Sequence, residues 1–260
     1  MFKSVILDFV QGWNNRELWL YNSLMDMRQR YRRSLIGPFW ITLSLAIMVF
    51  SIGNLWAYLW KIDMKDYLPY FTVGLLLWTL ISTIISESSE IFIKSNHIIK
   101  QVNLPFSFYI YNLVWKNFII FFHHLIVYLL VIVIFKVKIG LSIFMVIPGL
   151  FFYFITALWM SSCLGIVCTR YRDIEQIIPS LLTIIFFVTP IMWKIQWSNK
   201  DLPFMDYNPL YHYIEILRAP LLGNMPTIDN YIVVSFVTIV GILISVVTIG
   251  KYRSQISYWL

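Results

Sequence analysis

Chemistry in this chain starts with positive charge. Residues 28 to 40 read RQRYRRSLIGPFW, so Arg28, Arg30, Arg32 and Arg33 fall within six positions and lead into an uncharged run opened by Gly-Pro. Guanidinium forks pair with anionic oxygens two at a time, and such a cluster can receive an acidic ligand at a membrane face. The same cluster is also what the cytoplasmic flank of a membrane-spanning helix carries, with anionic lipid as its only ligand. Both readings stay open at the level of the residues.

The acids offer less. Glu87 with Glu90, and Asp173 with Glu175, are the pairs closest together. Glu87 and Glu90 would share a helix face at i, i+3, where they suit a partner contact or a solvated face better than catalysis. No G-x-x-x-x-G-K-[ST] string occurs, so nothing in the sequence argues that this chain hydrolyses ATP by itself. H-E-x-x-H and metal-ligand spacings are missing as well, and neither a metal nor a cofactor is expected. Cys163 and Cys168 lie five apart in one apolar run, pointing to different sides of a helix, and read as packing residues. His123 and His124 are adjacent within an apolar run; helical neighbours diverge by about 100°, so they cannot both face one site.

The elements that hold these residues are set by a lipid solvent. Of 260 residues, 59% are hydrophobic, 18% aromatic and only 13% charged, against about a quarter charged in a soluble domain. The net charge of +7 is concentrated beside apolar runs, which favours lipid headgroups over nucleic acid as its partner. Six stretches are long and apolar enough to cross: 35–60, 68–86, 113–135, 141–169, 174–193 and 231–250. With an N-terminus in the cytoplasm, thirteen Lys and Arg fall inside and seven outside, out of 20; both ends are therefore expected in the cytoplasm.

Three segments are left over. Residues 1–33 place Phe2, Val5, Ile6, Phe9 and Trp13 on one helical face, the pattern of a cytoplasmic helix lying in the interface. Residues 87–105 form a cytoplasmic connection. On the far side, 194–230 holds short apolar pieces between four prolines, which predicts helices that dip in and return. Residues 251–260 form a cytoplasmic tail. Ala157, Ser161 and Gly165 present a stripe of small residues to another helix, expected to be a neighbour in the same subunit. Aromatic residues crowd the first and fifth spans: Trp40, Trp56, Tyr58, Trp60, Phe186, Phe187 and Trp193. Those at span ends fit interface anchors, while rings in mid-span can also stack on the apolar faces of sugars.

The fold predicted is thus all-α, one integral membrane domain of six spans with interfacial and re-entrant helices. At RQRYRRSLIGPFW it resembles the permease subunits of ABC-2 exporters of O-antigen, capsular polysaccharide or teichoic acid. The resemblance rests on Arg30, Tyr31, Arg32, Ser34, Gly37 and Trp40; on Arg172, Asp173 and Pro190 in RYRDIEQIIPSLLTIIFFVTPIMW; on Asn208, Pro209 and Arg218 in NPLYHYIEILRAPLLG; and on NHIIKQVNLP. These four pieces stand in the family's order.

The resemblance implies a homodimer bound to two copies of a separate nucleotide-binding ATPase in the bacterial cytoplasmic (inner) membrane. It moves a polysaccharide on a polyprenyl diphosphate, with O-antigen the first expectation. It implies a coupling helix over 87 to about 104, carrying Glu87, Glu90, Asn96, His97 and Lys100. The diphosphate is expected at Arg28, Arg30, Arg32 and Arg33, and the glycan path along Trp56, Tyr58, Trp60, Phe186, Phe187 and Trp193. The far-side gate is expected at Pro190, Asn208, Pro209 and Arg218. The alternatives are an ABC-2 exporter of a small lipid or drug, and a membrane transferase acting on polyprenyl-linked sugars.

Overall fold

In hydrocarbon a backbone N–H or C=O finds no water, so each spanning segment must close its own hydrogen bonds as a helix. The computed structural model describes residues 2–30, 32–194 and 206–260, and these are helical apart from short connections. Helices α1 (Phe2–Asn14) and α2 (Arg16–Arg30) precede α3 (Phe39–Trp60), α4 (Met64–Lys94), the short α5 (Asn96–Gln101) and α6 (Phe106–Phe135). A 3-10 turn, Leu141–Met145, leads into α7 (Val146–Arg170), followed by α8 (Arg172–Val188), α9 (Pro209–Leu221), α10 (Ile228–Tyr252) and α11 (Ile256–Trp259).

Five stretches among the described residues are long and apolar enough to cross a membrane: Phe39–Trp60, Met64–Gln101, Phe106–Phe135, Leu141–Arg170 and Ile228–Trp259. The expected crossing over 174–193 is shorter than its apolar run. Helix α8 has 17 residues, about 25 Å at 1.5 Å per residue, the lower end of what spans. Its last turn gives way at Thr189, which is extended (φ −87°, ψ 136°) because the following Pro190 disfavours helical backbone before it.

Helix α4 is the post of the bundle. In Met64–Gln101, 78% of the apolar stretch is buried, against 22% in Phe39–Trp60, and α3, α6, α7, α8 and α9 all pack on α4. The α7 stripe explains how two of these helices approach. Ser161 Oγ lies 2.7 Å from Ser88 Oγ on α4, and Gly165 faces Ile91 and Phe92, where a Cβ would stand 2.6 and 2.9 Å from their side chains. The small-residue stripe therefore meets a helix of the same chain.

The N-terminal segment is two helices rather than one. Asn15 ends the first, its side-chain amide donating at 2.8 Å to the same Gln11 carbonyl that accepts its backbone N–H at 3.2 Å. The face expected to be apolar is split. Val5 is buried, whereas Phe2, Ile6 and Trp13 are exposed. The line turned to the bundle runs Val5, Asp8, Gly12. Asp8 is 2% exposed, accepts from the Ser107 N–H at 2.9 Å and pairs with Arg253 at 2.7 Å, so it joins α1 to the starts and ends of α6 and α10. Beyond the break, Trp19 stacks on Tyr111 with centroids 5.5 Å apart and donates to the Gly12 carbonyl at 3.1 Å.

Because α4 leaves no space at Gly165, Gly165→Leu is expected to destabilise the protein by about 1–3 kcal/mol through overpacking. The check is a lower melting temperature and folded yield in detergent.

Candidate functional site

The polar chemistry gathers at the two ends of α4. At the end away from the termini, the backbone that leaves α8 is irregular from Thr189 to Trp193, and its carbonyls are met by side chains. Tyr67 Oη donates to the Met192 carbonyl at 2.9 Å. Tyr70 Oη donates to the carbonyls of Pro190 at 3.1 Å and Trp193 at 3.2 Å. From α9, Arg218 Nη1 donates to the Pro190 carbonyl at 2.6 Å.

Arg218 is 1% exposed, the largest of the fully buried side chains. A charge so buried needs a partner, and Glu215 one turn earlier supplies it: Arg218 Nε donates to Glu215 Oε1 at 2.9 Å, and Nη2 pairs with the same carboxylate. The guanidinium lies 4.2 Å from the Tyr70 ring centroid, within cation–π range. Burial pulls the Arg218 pKa down, but the Glu215 carboxylate outweighs it, leaving the value above the ordinary one for arginine. A polar cavity of about 240 Å³ opens beside this group, with Tyr211, Lys194 and Asn224 in its wall.

The four residues expected at a gate thus come together. Asn208 caps α9, its Oδ1 accepting from the Leu210 N–H at 3.0 Å, with Pro209 in the first turn, where its missing N–H costs nothing. Asn208 Nδ2 also donates to Thr189 Oγ1 at 3.2 Å. His212 links α9 to α10 through Asn230, Nδ1 to Oδ1 2.7 Å. Of the expected re-entrant segment, α9 is the one helix among the described residues, and 195–205 lies outside them.

The aromatic set divides. Trp56 and Trp60 lie 5.0 Å apart, and Trp60 meets Tyr67 edge-on at 5.9 Å. Phe186 sits 5.5 Å from Trp78 and 5.3 Å from Phe187, and Trp193 Nε1 donates to the Phe187 carbonyl at 3.3 Å. Trp56 and Phe186 pack on one small core of Tyr67, Leu68, Phe71 and Leu75. Tyr58 does not join them: it is 80% exposed and lies 200° around α3 from Trp56 at about 100° per residue.

At the other end of α4, the segment expected as one coupling helix over 87–104 is two pieces. Glu87 and Glu90 belong to α4 itself, which continues to Lys94, and only Asn96–Gln101 forms the separate α5. Glu87 accepts from Asn117 Nδ2 at 2.7 Å and pairs with Lys116 at 2.9 Å; Glu90 pairs with Lys94 one turn on. Asn96 Nδ2 donates to the Leu260 backbone oxygen at 3.3 Å. His97 and Lys100 are exposed. Asn112, which donates to Asp26 at 3.0 Å, and Glu87 share the wall of a polar cavity of about 300 Å³ between α2, α4 and α6.

Arg28 and Arg30 end α2, where cations favour the helix C-terminus; Arg32 and Arg33 follow in the turn, and Tyr31 lies outside the described residues. All four arginines are exposed, and among the described residues none pairs with an acid. The turn has two left-handed residues, Arg33 (φ 71°) and Gly37 (φ 61°). Ser34 Oγ accepts from the Gly37 N–H at 3.3 Å, which gives the Ser-x-x-Gly spacing a structural role.

Sequence reasoning missed Tyr67, Tyr70 and Glu215, which serve the irregular backbone, and Asp8, the acid inside an apolar helix. The last was visible as a charge interrupting an amphipathic stripe.

Membrane-length helices around one buried post define a multi-pass membrane protein. Residues 18–222 match the model of the ABC-2 type transporter family. The chain belongs to that family: it is a multi-pass transport permease rather than a nucleotide-binding subunit, and the family implies association with an ATP-binding subunit. Among curated proteins none matches the chain.

Removing one partner of the buried pair isolates the other. Arg218→Met is expected to cost about 3–5 kcal/mol, and adding Glu215→Leu should recover most of it, as read by a double-mutant cycle of detergent melting.

Proposed function

We propose that this chain is the permease subunit of an ATP-driven exporter of a polyprenyl-diphosphate-linked polysaccharide, with O-antigen as the cargo. It works as a homodimer with two copies of a separate ATPase in the bacterial inner membrane, both termini in the cytoplasm. The observation that carries the substrate reading is the arginine turn: four exposed guanidinium groups with no acidic partner among the described residues, at the mouth of α3. A diphosphate headgroup needs such donors at the membrane surface while its lipid stays in the bilayer.

The rest of the mechanism follows from which faces are covered. α3 is little buried, and α8 buries only Ile178 and Leu182. Both flank α4, which supports a second copy closing against them and a path between the two copies. ATP-driven closure of the partner pushes α5 through His97 and Lys100. Because Glu87 and Glu90 sit on α4, the push passes directly along that helix to Tyr67 and Tyr70, which hold the loop at Pro190. Weak stacking on Trp56, Trp60 and Phe186 lets a long glycan slide without a deep trap, as multi-site weak binding does in channels. The transferase alternative draws no support from family membership; of the acids it would use, Glu87 and Glu90 are engaged by lysines, while Asp173 stands exposed at the start of α8.

The first experiment is extraction from the native membrane in mild detergent, with identification of co-purifying chains and an ATPase assay; a stoichiometric nucleotide-binding partner with turnover is expected. Replacing Arg28, Arg30, Arg32 and Arg33 by lysine keeps the charge and the topology. Export of the glycan lipid should nevertheless fall about tenfold, the worth of one charge-assisted hydrogen bond. Full export in that variant would reduce the cluster to a topology signal.

A further inference from the structure

Between α1, α7 and α10 the structure leaves an apolar groove of about 480 Å³. Its wall includes Ile6 and Val10 from α1, Leu158 and Trp159 from α7, and Ile242 and Val246 from α10. Its shape depends on Gly241, over which the Trp159 ring lies so closely that a Cβ would stand 2.3 Å from it. Since α7 and α10 lie in stretches fit to cross a membrane, the groove faces lipid. Val246 and Ile242 precede the end of α10 at Tyr252 by six and ten residues, about 9 and 15 Å of helix rise. That depth is one leaflet of a hydrocarbon core about 30 Å thick.

Polarity and charge choose the occupant. Water does not fill so apolar a wall, whereas a hydrocarbon chain does. Beyond the groove, toward the termini, the residues that flank it are basic. Lys3 is exposed and stands two turns before Val10 on the same face of α1. Arg253 follows directly on the end of α10 at Tyr252. Its guanidinium reaches Asp8 at 2.7 Å and the Ser4 carbonyl at 3.4 Å, its side chain remains 32% exposed, and a guanidinium has five N–H donors to give. Two cations against the single Asp8 carboxylate leave a net positive rim.

We propose that this groove is a lipid site: it holds one acyl chain of an anionic phospholipid whose phosphate is received by Lys3 and Arg253. The site is independent of the exported cargo. It would anchor α1 against the bundle from the leaflet on the side of the termini.

The test is native mass spectrometry of the full-length protein released from vesicles of equal palmitoyl-oleoyl phosphatidylglycerol and phosphatidylcholine. One phosphatidylglycerol per chain is expected to survive release in preference to phosphatidylcholine. Ile242→Trp, a change at a half-exposed position that fills the groove, should abolish retention of both lipids. Lys3→Gln, at an exposed position, should keep a bound lipid but reduce the preference for phosphatidylglycerol about fivefold, the worth of one lysine near an anionic surface. Equal retention of the two lipids by the unaltered protein would overturn the proposal. So would undiminished retention in Ile242→Trp, or an unchanged preference in Lys3→Gln.

Discussion

Irregular backbone inside a membrane protein survives only where protein donors replace water. The break after α8 is such a place, and three side chains answer it: Tyr67 and Tyr70 from α4 and Arg218 from α9 donate to the carbonyls of residues 190, 192 and 193. Much else follows. α8 can stop at Val188 because its successor backbone is received. α9 is held against α4 because its arginine is needed there. Glu215 is fixed because the arginine cannot be buried alone. The most buried helix and the most buried charge are two sides of one arrangement.

The two ends of α4 are built differently, and the contrast bears on transport. Toward the termini its polar groups form lateral ion pairs with α6, through Glu87 and Lys116, or lie along its own surface, through Glu90 and Lys94. These pairs are partly exposed and worth little individually, so a partner can rearrange them at small cost. At the far end the contacts are buried and converge on one short loop. A helix that is adjustable at one end and fastened to a loop at the other is suited to carry a displacement from the first to the second.

How much of this could be read in the sequence depended on the length scale of the signal. The spans were legible because hydrocarbon thickness demands runs of apolar residues, and α3, α6 and α10 fall close to the expected stretches. The α7 stripe was legible as far as its intrachain partner, since small residues every fourth position permit close approach. Pro190, Asn208, Pro209 and Arg218 were grouped through resemblance to a family, and the structure adds why they meet: one capping bond and one buried pair. What the sequence left hidden was long-range pairing. Nothing local announces that Tyr70 and Arg218 share a carbonyl. The continuation of α4 through Glu87 and Glu90 was hidden because polar residues near a span end read as the start of a separate cytoplasmic helix, although Ile84, Ser88 and Ile91 continue the buried face at helical spacing. The division of the N-terminal helix at Asn15 turned on one side-chain bond.

The pairing of Asp8 carries an implication for how the molecule is made. Arg253, which neutralises Asp8 and also reaches the Ser4 carbonyl, lies 249 residues from that serine. At roughly 5–20 residues per second of synthesis, about 12–50 s separate the appearance of the acid from that of its counterion. Through that interval the first helix has no buried seat, because a lone carboxylate is costly to bury. It can rest at the membrane surface while the spans assemble, and its seat is complete only once α10 has been laid down. Helix α1 is thus made well before it can dock, and its docking reports that α10 is in place.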